Sequence, residues 1–387
     1  MANRVFILGS IGFPRGGAGA NYDQYVALAL KRAGWEVIIL GSGVNRREDY
    51  VNGRYIYKEI EYWNEPKSLK VKYGISLLHY NKAHAKYCMS SKDYYIIRDL
   101  GWLTLLQTIC KYGNRRMCYV HFEDVLPTQY NKPYINPKYW TDLIKWSIKQ
   151  HKIKKSLPIS ARLEEIDSHF GCKCLRLPIM ADPEEFEYVD KICKPKIIEF
   201  IYPGAKLNGC EDNIELMLSS FNRLPYEMKK HVKLHITGAT YDKLKNKLGN
   251  KANELLGLKD VLIFHGWMDY GDLISLYQQM DFLILARYVN EATIANFPSK
   301  IPETLGFGII PVCTKVGEYT SSYLVNGVNS IIFAPNSTDA CYAAIEKAIN
   351  MTNDEYIQLR KQARKTALYK FGYKNWSEKL SDFLKSE

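Results

Sequence analysis

The chain has 387 residues, of which 47% are apolar and 24% are charged, and its formal net charge is +12. This balance excludes a disordered chain, and the length predicts two domains of about 150–200 residues each. The basic charge is compatible with nucleic acid, an anionic membrane surface or phosphorylated small molecules as partners. No apolar run approaches the roughly 18 residues of a membrane-spanning helix, and the nine cysteines form no CxxC pair. We therefore expect a cytoplasmic protein with free thiols and no bound metal.

The first half of the chain alternates short apolar runs with helical segments, which is typical of βαβ units around a parallel sheet. Helices are predicted at Asn21–Ala33 and Leu103–Tyr112. The predicted strands are Arg4–Gly9, Trp35–Leu40, Tyr94–Arg98, Met117–His121, Leu157–Ser160 and Cys174–Leu177.

A second series of the same kind follows a segment, 183–195, that breaks both periodicities. The predicted strands are Glu199–Tyr202, Val232–Thr237, Val261–His265, Asp281–Ala286, Ile309–Thr314 and Ser330–Phe333. The predicted helices are Asn213–Asn222, Asp269–Gln279, a short helix around Pro302–Gly306, and the remainder after the last strand. Two α/β domains are therefore expected, with ligands at the carboxyl ends of their strands.

The first glycine-rich segment, Gly12–Gly19, lies between a predicted strand and a predicted helix. Its glycines, including Gly16 and Gly17, allow backbone N–H groups to approach a phosphate at the positive end of that helix. The GxGxxG spacing of a dinucleotide site is absent. A flexible strand-to-helix turn is the alternative interpretation.

His121 ends a predicted buried strand and is followed closely by Glu123 and Asp124. A histidine in this place can donate to a hydroxyl or accept a proton near neutral pH. Either carboxylate could orient the imidazole or an acceptor hydroxyl. The alternative is a strand-end histidine that only bonds to backbone groups.

Two segments of the second half combine a cation with a strand, loop and helix. In 202–212, Gly204 and Lys206 form a second phosphate cradle, with an ordinary turn as the alternative. The stronger signal is 296–312, NFPSKIPETLGFGIIPV. Here Lys300 and the start of a helix attract phosphate, and Glu303 is suited to bind two ribose hydroxyls.

Residues 261–333 resemble the donor half of the GT-B fold retaining glycosyltransferases, a family that contains sucrose synthases and many bacterial polysaccharide and glycolipid transferases. The matching pieces are VLIFHGWMDYGDLISLYQQMDFLILA, FPSKIPETLGFGIIPV and GEYTSSYLVNGVNSIIF. The early glycine loop, His121 and the strand ending at Ser160 also fall where the family has counterparts.

The resemblance implies a GT-B architecture, in which two Rossmann-like α/β domains face each other across a cleft. Residues 1–190 would form the acceptor-side domain and residues 195–365 the nucleotide-sugar donor domain. Residues 366–387 would form a C-terminal helix that packs back on the N-terminal domain.

The resemblance also implies sugar transfer with retention, without a metal or other cofactor, from a nucleotide sugar to a glycan, lipid-linked or other acceptor. A UDP-sugar is favoured over a GDP-sugar, and synthesis of cell-surface polysaccharide or glycoconjugate is the expected setting. By position, Glu303 resembles the ribose-binding glutamate, Gly16 and Gly17 the loop under the donor phosphate, and His121 the histidine near the reacting sugar. The expected catalytic residues are His121, Lys206 and Lys300, and the expected donor-binding residues are Gly16, Gly17, Gly204, Ser299, Glu303 and Thr304.

Two departures from the family pattern concern charged residues. The family often has a second glutamate eight residues before the first, but position 295 is alanine, and Glu291 lies twelve residues before Glu303. The usual Gly-Arg…Lys-Gly pair is also altered, because Gly204 is followed by Ala205, which leaves Lys206 as the cation of that loop. Glu291, Glu123 and Asp124 are expected near the acceptor or the sugar.

The segment 138–155, KYWTDLIKWSIKQHKIKK, predicts a basic amphipathic helix. Trp140, Ile144 and Ile148 share one face, and five lysines follow from position 145 onward. Such a helix can lie on an anionic membrane, at the inner face for a cytoplasmic protein, or it can simply pack on its own core.

The sequence has three alternative interpretations besides sugar transfer. A nucleotide-sugar epimerase or hydrolase of the same fold needs an acid or base poised on the donor sugar. A catalytically inactive GT-B-like binding subunit fits the missing second glutamate. Nucleic-acid binding is not expected, because no basic stripe with interleaved aromatic residues occurs.

Overall fold

The computed structural model describes residues 3–14, 17–65, 76–123, 132–185, 188–204 and 211–386. The chain forms two compact units, one comprising Met1–Ala181 with Gly372–Glu387 and the other comprising Asp182–Phe371. The division thus falls directly before the segment 183–195 that breaks the sequence periodicity. No helix in the described ranges combines the length and hydropathy needed to cross a membrane.

The first unit contains a nine-stranded sheet in the order β3-β4-β5-β2-β1-β6-β7-β8-β9. The strands are β1 Arg4–Ile11, β2 Glu36–Ser42, β3 Tyr50–Val51, β4 Arg54–Tyr57, β5 Ile60–Glu65, β6 Tyr94–Ile97, β7 Met117–His121, β8 Lys155–Pro158 and β9 Lys173–Cys174. The helices are α1 Ala18–Arg32, α2 Leu77–Tyr87, α3 Trp102–Tyr112, α4 Pro137–Lys152 and α5 Ala161–His169, with 3-10 turns at Arg47–Asp49, Pro133–Ile135 and Tyr373–Trp376.

Parallel pairing dominates this sheet, and only the β3–β4 and β4–β5 pairs are antiparallel. Five of the six predicted strands of the first half are present with shifts at their ends, whereas the strand predicted at Cys174–Leu177 is reduced to the two residues Lys173–Cys174. The predicted elements do not include the strands β3 to β5 or the helices α2 and α5. The strands are short and alternate polar and apolar residues, which gives a weaker signal than the buried runs. The central strands are buried on both faces and therefore lack alternation: Val5, Phe6, Ile7 and Leu8 of β1 are fully inaccessible.

The second unit contains a six-stranded parallel sheet in the order β12-β11-β10-β13-β14-β15. The strands are β10 Ile198–Tyr202, β11 Val232–Thr237, β12 Leu262–Gly266, β13 Phe282–Leu285, β14 Ile310–Thr314 and β15 Ile331–Phe333. The helices are α6 Ile214–Asn222, α7 Tyr226–Lys229, α8 Tyr241–Leu248, α9 Tyr270–Tyr277, α10 Glu291–Ala295, α11 Lys300–Gly306, α12 Thr338–Asn350 and α13 Asn353–Thr366. Gly249–Leu258 forms 3-10 helix, and Tyr319–Tyr323 and Ala367–Phe371 form π-helical turns.

The order of the strands places β10 and β13 side by side at the middle of the second sheet. From β10 the chain adds β11 and β12 on one side, and from β13 it adds β14 and β15 on the other side. The order of the strands therefore reverses between β10 and β13. Such a switch point opens a crevice at the carboxyl ends of the two central strands. The residues that follow β10 and β13 are therefore the first to inspect for a site.

The last helix, α14 Ser377–Lys385, belongs to the first unit, although it follows the second in the chain. Leu380 and Leu384 are buried there. The Trp35 indole N–H donates to the Ser381 hydroxyl at 2.9 Å, and the buried Lys155 ammonium donates to the Leu384 carbonyl at 2.9 Å. The tail is thus an integral part of the first unit.

Candidate functional site

Four charged side chains meet at the carboxyl ends of β10 and β13 in the second unit. Asp212 lies just before α6, Arg287 just after β13, and Lys300 at the start of α11. Asp212 is paired with the Lys300 ammonium at 3.1 Å and with Nε of Arg287 at 3.2 Å. Glu211 is the fourth member, 2.8 Å from Arg287. Two cations and two carboxylates make this cluster formally neutral.

Asp212 is the centre of the cluster. It also accepts a hydrogen bond from the Tyr202 hydroxyl at 2.8 Å. Burial by itself raises the pKa of Asp212, but the charges of Lys300 and Arg287 and the bond from Tyr202 lower it below its ordinary value. Asp212 is therefore a carboxylate at neutral pH, and it holds the Lys300 ammonium, which also lies over the Tyr202 ring.

Arg287 is buried, with 2% of its side chain exposed, whereas Lys300 has 20% exposed. Every nitrogen of the Arg287 guanidinium has a partner, because its third bond goes to the Asn296 side-chain oxygen at 2.9 Å. Arg287 thus anchors the start of α6 to the end of β13. Lys300 is the more accessible of the two cations.

The helix α11 carries three of the predicted donor-binding residues. Ser299 precedes its first residue and makes no side-chain capping bond, so its hydroxyl does not serve the helix. Glu303 is half-buried, and its negative charge, after burial itself, contributes to raising the pKa of the buried Tyr277 on α9. Both residues lie at the start of the helix, as predicted, and their contact with a donor stays a prediction.

The prediction for Thr304 needs correction. Its side chain is fully buried, and its hydroxyl donates to the Lys300 carbonyl at 2.7 Å. Because this hydroxyl already gives its proton to a carbonyl of its own helix, it is not free to donate a hydrogen bond to a nucleotide. Thr304 stabilises the packing of α11 instead.

Position 295, where the family pattern would have a second glutamate, lies at the end of the short helix α10. Ala295 is the last residue of α10 and is buried. Glu291 begins the same short helix and is exposed, after an Asn290 cap that pairs with Thr293. Glu291 therefore does not occupy the position that a carboxylate at residue 295 would have. Its predicted contact with the sugar stays a prediction.

The loop after β10 is only partly described. Gly204 adopts a left-handed conformation at φ +63° and donates its N–H to the Thr237 hydroxyl at 2.8 Å. This bond ties the carboxyl end of β10 to that of β11. Lys206, predicted as catalytic, lies outside the described residues, as do Gly16 and Asp124.

In the first unit, His121 ends β7 and is buried. Its Nδ1 lies 2.8 Å from the Asp167 carboxylate on α5, and the same carboxylate oxygen accepts from the Gln150 amide at 2.7 Å. The partner of Nδ1 is thus a carboxylate from a distant helix, not a backbone group and not Glu123. Glu123 itself is exposed.

The phosphate-cradle prediction for the first glycine loop rests on Gly17 and Gly16. Gly17 precedes α1 at φ −80°, and a Cβ added there would meet no atom within 4 Å. Gly9 is different, since its φ of +88° and the close Asp99 backbone leave no room for a Cβ. The fold therefore requires glycine at position 9. At position 17 a side chain would fit without a clash, so packing does not explain the glycine there.

Sequence reasoning missed three of the residues that organise these clusters. Arg287 had a usable signal, a lone cation directly after a buried parallel strand. Asp212 had a weaker one, an acid just before a helix. Asp167 had none, because its pairing with His121 joins residues 46 positions apart.

No group of three histidine, cysteine, aspartate or glutamate side chains in the described ranges is arranged to hold a metal ion. The eight described cysteines are free thiols. Metal-independent chemistry stays a prediction.

The two α/β units, one with a mostly parallel sheet and one with a fully parallel sheet, have the GT-B fold of solved glycosyltransferases. The fold matches a glycosyltransferase from Rickettsia africae at a TM-score of 0.67 and 15% identity, over 100% of both chains. It matches sucrose-phosphate synthase from Thermosynechococcus elongatus at 0.72 and 13% identity, over 98% of both chains. HepE from Anabaena, solved in complex with UDP and glucose, matches at 0.68 and 14% identity over 100% of both.

Residues 209–366 match the model of the family described as glycosyl transferases group 1. The matched residues, fewer than half of the chain, include Asp212, Arg287, Lys300 and Glu303. Comparison with curated proteins returned no significant match.

Proposed function

We propose that the protein is a glycosyltransferase that moves a sugar from a nucleoside diphosphate sugar to a hydroxyl acceptor. The observation that carries this proposal is the group 1 family match over 209–366, which includes the residues of the charged cluster. Its members Lys300 and Asp212 lie at the switch point of the second sheet, where ligands of such sheets bind.

The electrostatics of the cluster support a diphosphate leaving group. Lys300 is held by Asp212, but a fifth of its side chain is exposed, which makes it the more accessible of the two cations in the cluster. A fixed cation stabilises the charge that develops as the sugar–phosphate bond breaks, without reorganising in that step. Ser299, Gly204 and Lys206 are further donor-side residues in this proposal.

Glu303 is proposed to bind the ribose hydroxyls, and His121 to lie near the reacting sugar. A UDP-sugar is proposed as the donor, in line with the UDP bound to HepE. Retention of configuration, independence from metal ions, and a role in cell-surface polysaccharide or glycoconjugate synthesis are parts of the same proposal. Glu123, Asp124 and Glu291 are proposed on the acceptor or sugar side.

The test is turnover of a panel of UDP- and GDP-sugars by the purified protein, with and without candidate glycan and lipid-linked acceptors. The proposal predicts nucleoside diphosphate release that rises with the correct acceptor, and a glycoside product whose anomeric configuration equals that of the donor. Free sugar alone would identify a hydrolase, and an isomerised donor an epimerase. Donor binding without turnover against any acceptor would identify an inactive binding subunit.

We further propose that the first unit contacts an anionic membrane surface through the start of α4. Tyr134 and Ile135 are more than 70% exposed, and Trp140 and Ile144 are more than 40% exposed. Ile148, the third residue of the predicted stripe, packs against the core instead. An exposed aromatic and aliphatic group beside basic residues suits insertion at the headgroup level of a bilayer.

The charge of this segment differs from the sequence-based expectation. Lys145 pairs with Asp99 and Asp142, Lys149 donates to the Arg98 carbonyl, and Lys155 is buried in β8. Lys138 and Lys152 are exposed on α4. The apolar side chains thus carry more of the proposed contact than the basic ones.

Sedimentation with lipid vesicles tests this contact. The wild-type protein is expected to bind vesicles rich in an anionic phospholipid more than neutral ones, and the double variant Trp140→Ser, Ile144→Ser should lose most of that binding. Tyr226→Ser, which removes an exposed aromatic side chain from the second unit, is the matched control. Equal binding of the wild-type and the double variant would contradict the proposal.

A further inference from the structure

A chain of four buried polar side chains ends at His121. The Tyr119 hydroxyl donates to the Gln150 side-chain oxygen at 2.9 Å, and the Gln150 amide donates to the Asp167 carboxylate at 2.7 Å. The same carboxylate oxygen lies 2.8 Å from His121 Nδ1. All four residues are buried, and they come from β7, α4 and α5.

The direction of every bond in this chain follows from its donors. Because the Gln150 oxygen accepts from Tyr119, its amide nitrogen must face Asp167 and donate. Burial alone raises the pKa of Asp167, but the bonds from His121 and Gln150 lower it below its ordinary value, so Asp167 is an acceptor-only carboxylate. His121 Nδ1 therefore carries a proton and donates it to Asp167.

Among the described residues, the second ring nitrogen of His121, Nε2, has no hydrogen-bond partner that would fix its role. Nε2 of His121 is buried and has no hydrogen-bond partner among the residues that the structure describes. A buried polar atom that lacks a partner costs about 1–3 kcal/mol. In the neutral imidazole with Nδ1 protonated, this atom is a bare lone pair that can accept one hydrogen bond.

We propose that Asp167, supported by Gln150 and Tyr119, is a positioning residue that holds His121 in the Nδ1–H tautomer, so that Nε2 accepts a hydrogen bond from a sugar hydroxyl. The identity of the hydroxyl rests on the function proposed above, whereas the tautomer does not. Asp167 acts through the imidazole and does not touch the substrate.

The tautomer is tested on the full chain by NMR with ¹⁵N-labelled histidine, in which long-range proton–nitrogen correlations distinguish a protonated ring nitrogen from a bare one. His121→Gln identifies the His121 signals by their loss. The proposal predicts a protonated Nδ1 and a bare Nε2 in the wild-type protein. A wild-type His121 protonated at Nε2 and bare at Nδ1 would overturn it, whatever the enzymatic activity.

The variant Asp167→Asn tests whether Asp167 is the residue that fixes the tautomer of His121. An amide can donate as well as accept, so the Nε2–H tautomer should become populated in this variant. Glu165→Gln makes the same chemical change at an exposed residue of the same helix and should leave the His121 signals unchanged. If Asp167→Asn fails to fold, Tyr119→Phe provides a milder change, with a smaller shift in the same direction. An unchanged tautomer in a folded Asp167→Asn protein would also overturn the proposal.

The kinetic arm separates positioning from a general structural role. With the donor and acceptor found in the panel, Asp167→Asn is expected to lower kcat by up to about 10-fold, the contribution of one hydrogen bond, while the donor KM changes little. A structural defect would instead raise KM and lower the amount of folded enzyme. A wild-type kcat in a folded variant with the altered tautomer would overturn the role assigned to Nε2. Absence of turnover in the wild-type protein would refute the proposed function but leave the tautomer result valid.

Discussion

Asp212 in the second unit shows how one partly buried acid can organise a cluster of charged side chains. Asp212 accepts from Lys300, Arg287 and Tyr202, which fixes the Lys300 ammonium at the carboxyl edge of the sheet. The same contact neutralises part of the charge that a phosphate would meet. The site is therefore better described as an ordered dipolar cluster than as a free positive patch.

Glu303 provides the first prediction at this scale. Glu303→Ala removes the carboxylate proposed to bind two ribose hydroxyls, and hydrogen bonds to a charged group contribute about 1.5–3 kcal/mol each. We expect donor nucleotide affinity to fall by at least about 10-fold, measured by isothermal titration calorimetry with UDP. Glu346→Ala, an acidic side chain on α12 that pairs with Tyr342, is the control and should bind as wild type. Unchanged affinity in Glu303→Ala would refute the placement of the ribose.

Lys149 provides the second prediction, on pH dependence. Burial lowers the pKa of Lys149 to about 8, from 10.5 in an unfolded chain. Between these two values the unfolded chain binds the extra proton, so stability from this group rises with pH across that window. Relative to Lys149→Met, the wild-type protein should gain up to about 3 kcal/mol of unfolding free energy over the window.

Urea unfolding of both proteins across that pH range, under reducing conditions, measures the difference. The wild-type and Lys152→Met, a change at an exposed lysine of the same helix, should behave alike. Parallel pH curves for the wild-type and Lys149→Met would show that Lys149 is not desolvated as described.

At the scale of elements, α11 is a short helix that depends on its neighbours for its position. It has seven residues, too few for stability of its own. The Arg364 guanidinium of α13 donates to the Gly306 carbonyl, and Arg360 donates to the carbonyls of Phe307 and Met280. α13 thus holds the end of the helix that carries Glu303.

Arg360→Met tests this support. The substitution keeps an apolar stem in the core but leaves two buried carbonyls without their donors, which should cost about 2–4 kcal/mol. Chemical denaturation followed by intrinsic fluorescence gives the value, with Lys361→Met on the exposed face of α13 as the control. A loss below about 0.5 kcal/mol, the range of ordinary surface changes, would contradict the role of Arg360.

The element scale also shows where periodicity is informative. Buried strands such as β1 and β13 were predicted within a few residues, because parallel strands covered on both faces read as unbroken apolar runs. The antiparallel strands β3 to β5 alternate polar and apolar residues over short lengths and gave no clear signal. For α4, the pattern predicted the helix but not which residues of its apolar stripe are covered.

At the scale of the whole molecule, the chain leaves the first unit at Ala181 and returns to it at Gly372. The returning segment contributes α14 and the partners of two buried polar groups, Trp35 and Lys155. The first unit is therefore complete only when the chain has passed through the second.

Truncation after Phe371 should destabilise the first unit selectively. It removes the buried Leu380 and Leu384 and leaves the Lys155 ammonium without its carbonyl partners, and an unpaired buried charge costs several kcal/mol. Hydrogen exchange with mass spectrometry should show faster exchange in α1, β1, β2 and β8 of the truncated protein. Peptides from the second unit, α12 for example, serve as the internal control. Equal protection of the first unit in both proteins would show that the tail is dispensable.

The sequence by itself determined the fold class, the two-part organisation and the short helix that carries Lys300 and Glu303. These features are local, since they rest on apolar periodicity, glycine turns and the spacing of a cation and an acid on one short helix. Tertiary structure decided which side chains face each other. Asp167 meets His121 and Asp212 meets Lys300 across gaps of 46 and 88 positions, and Thr304 is turned inward. Side-chain pairing over such separations depends on how the strands are ordered in a sheet, which no local pattern encodes.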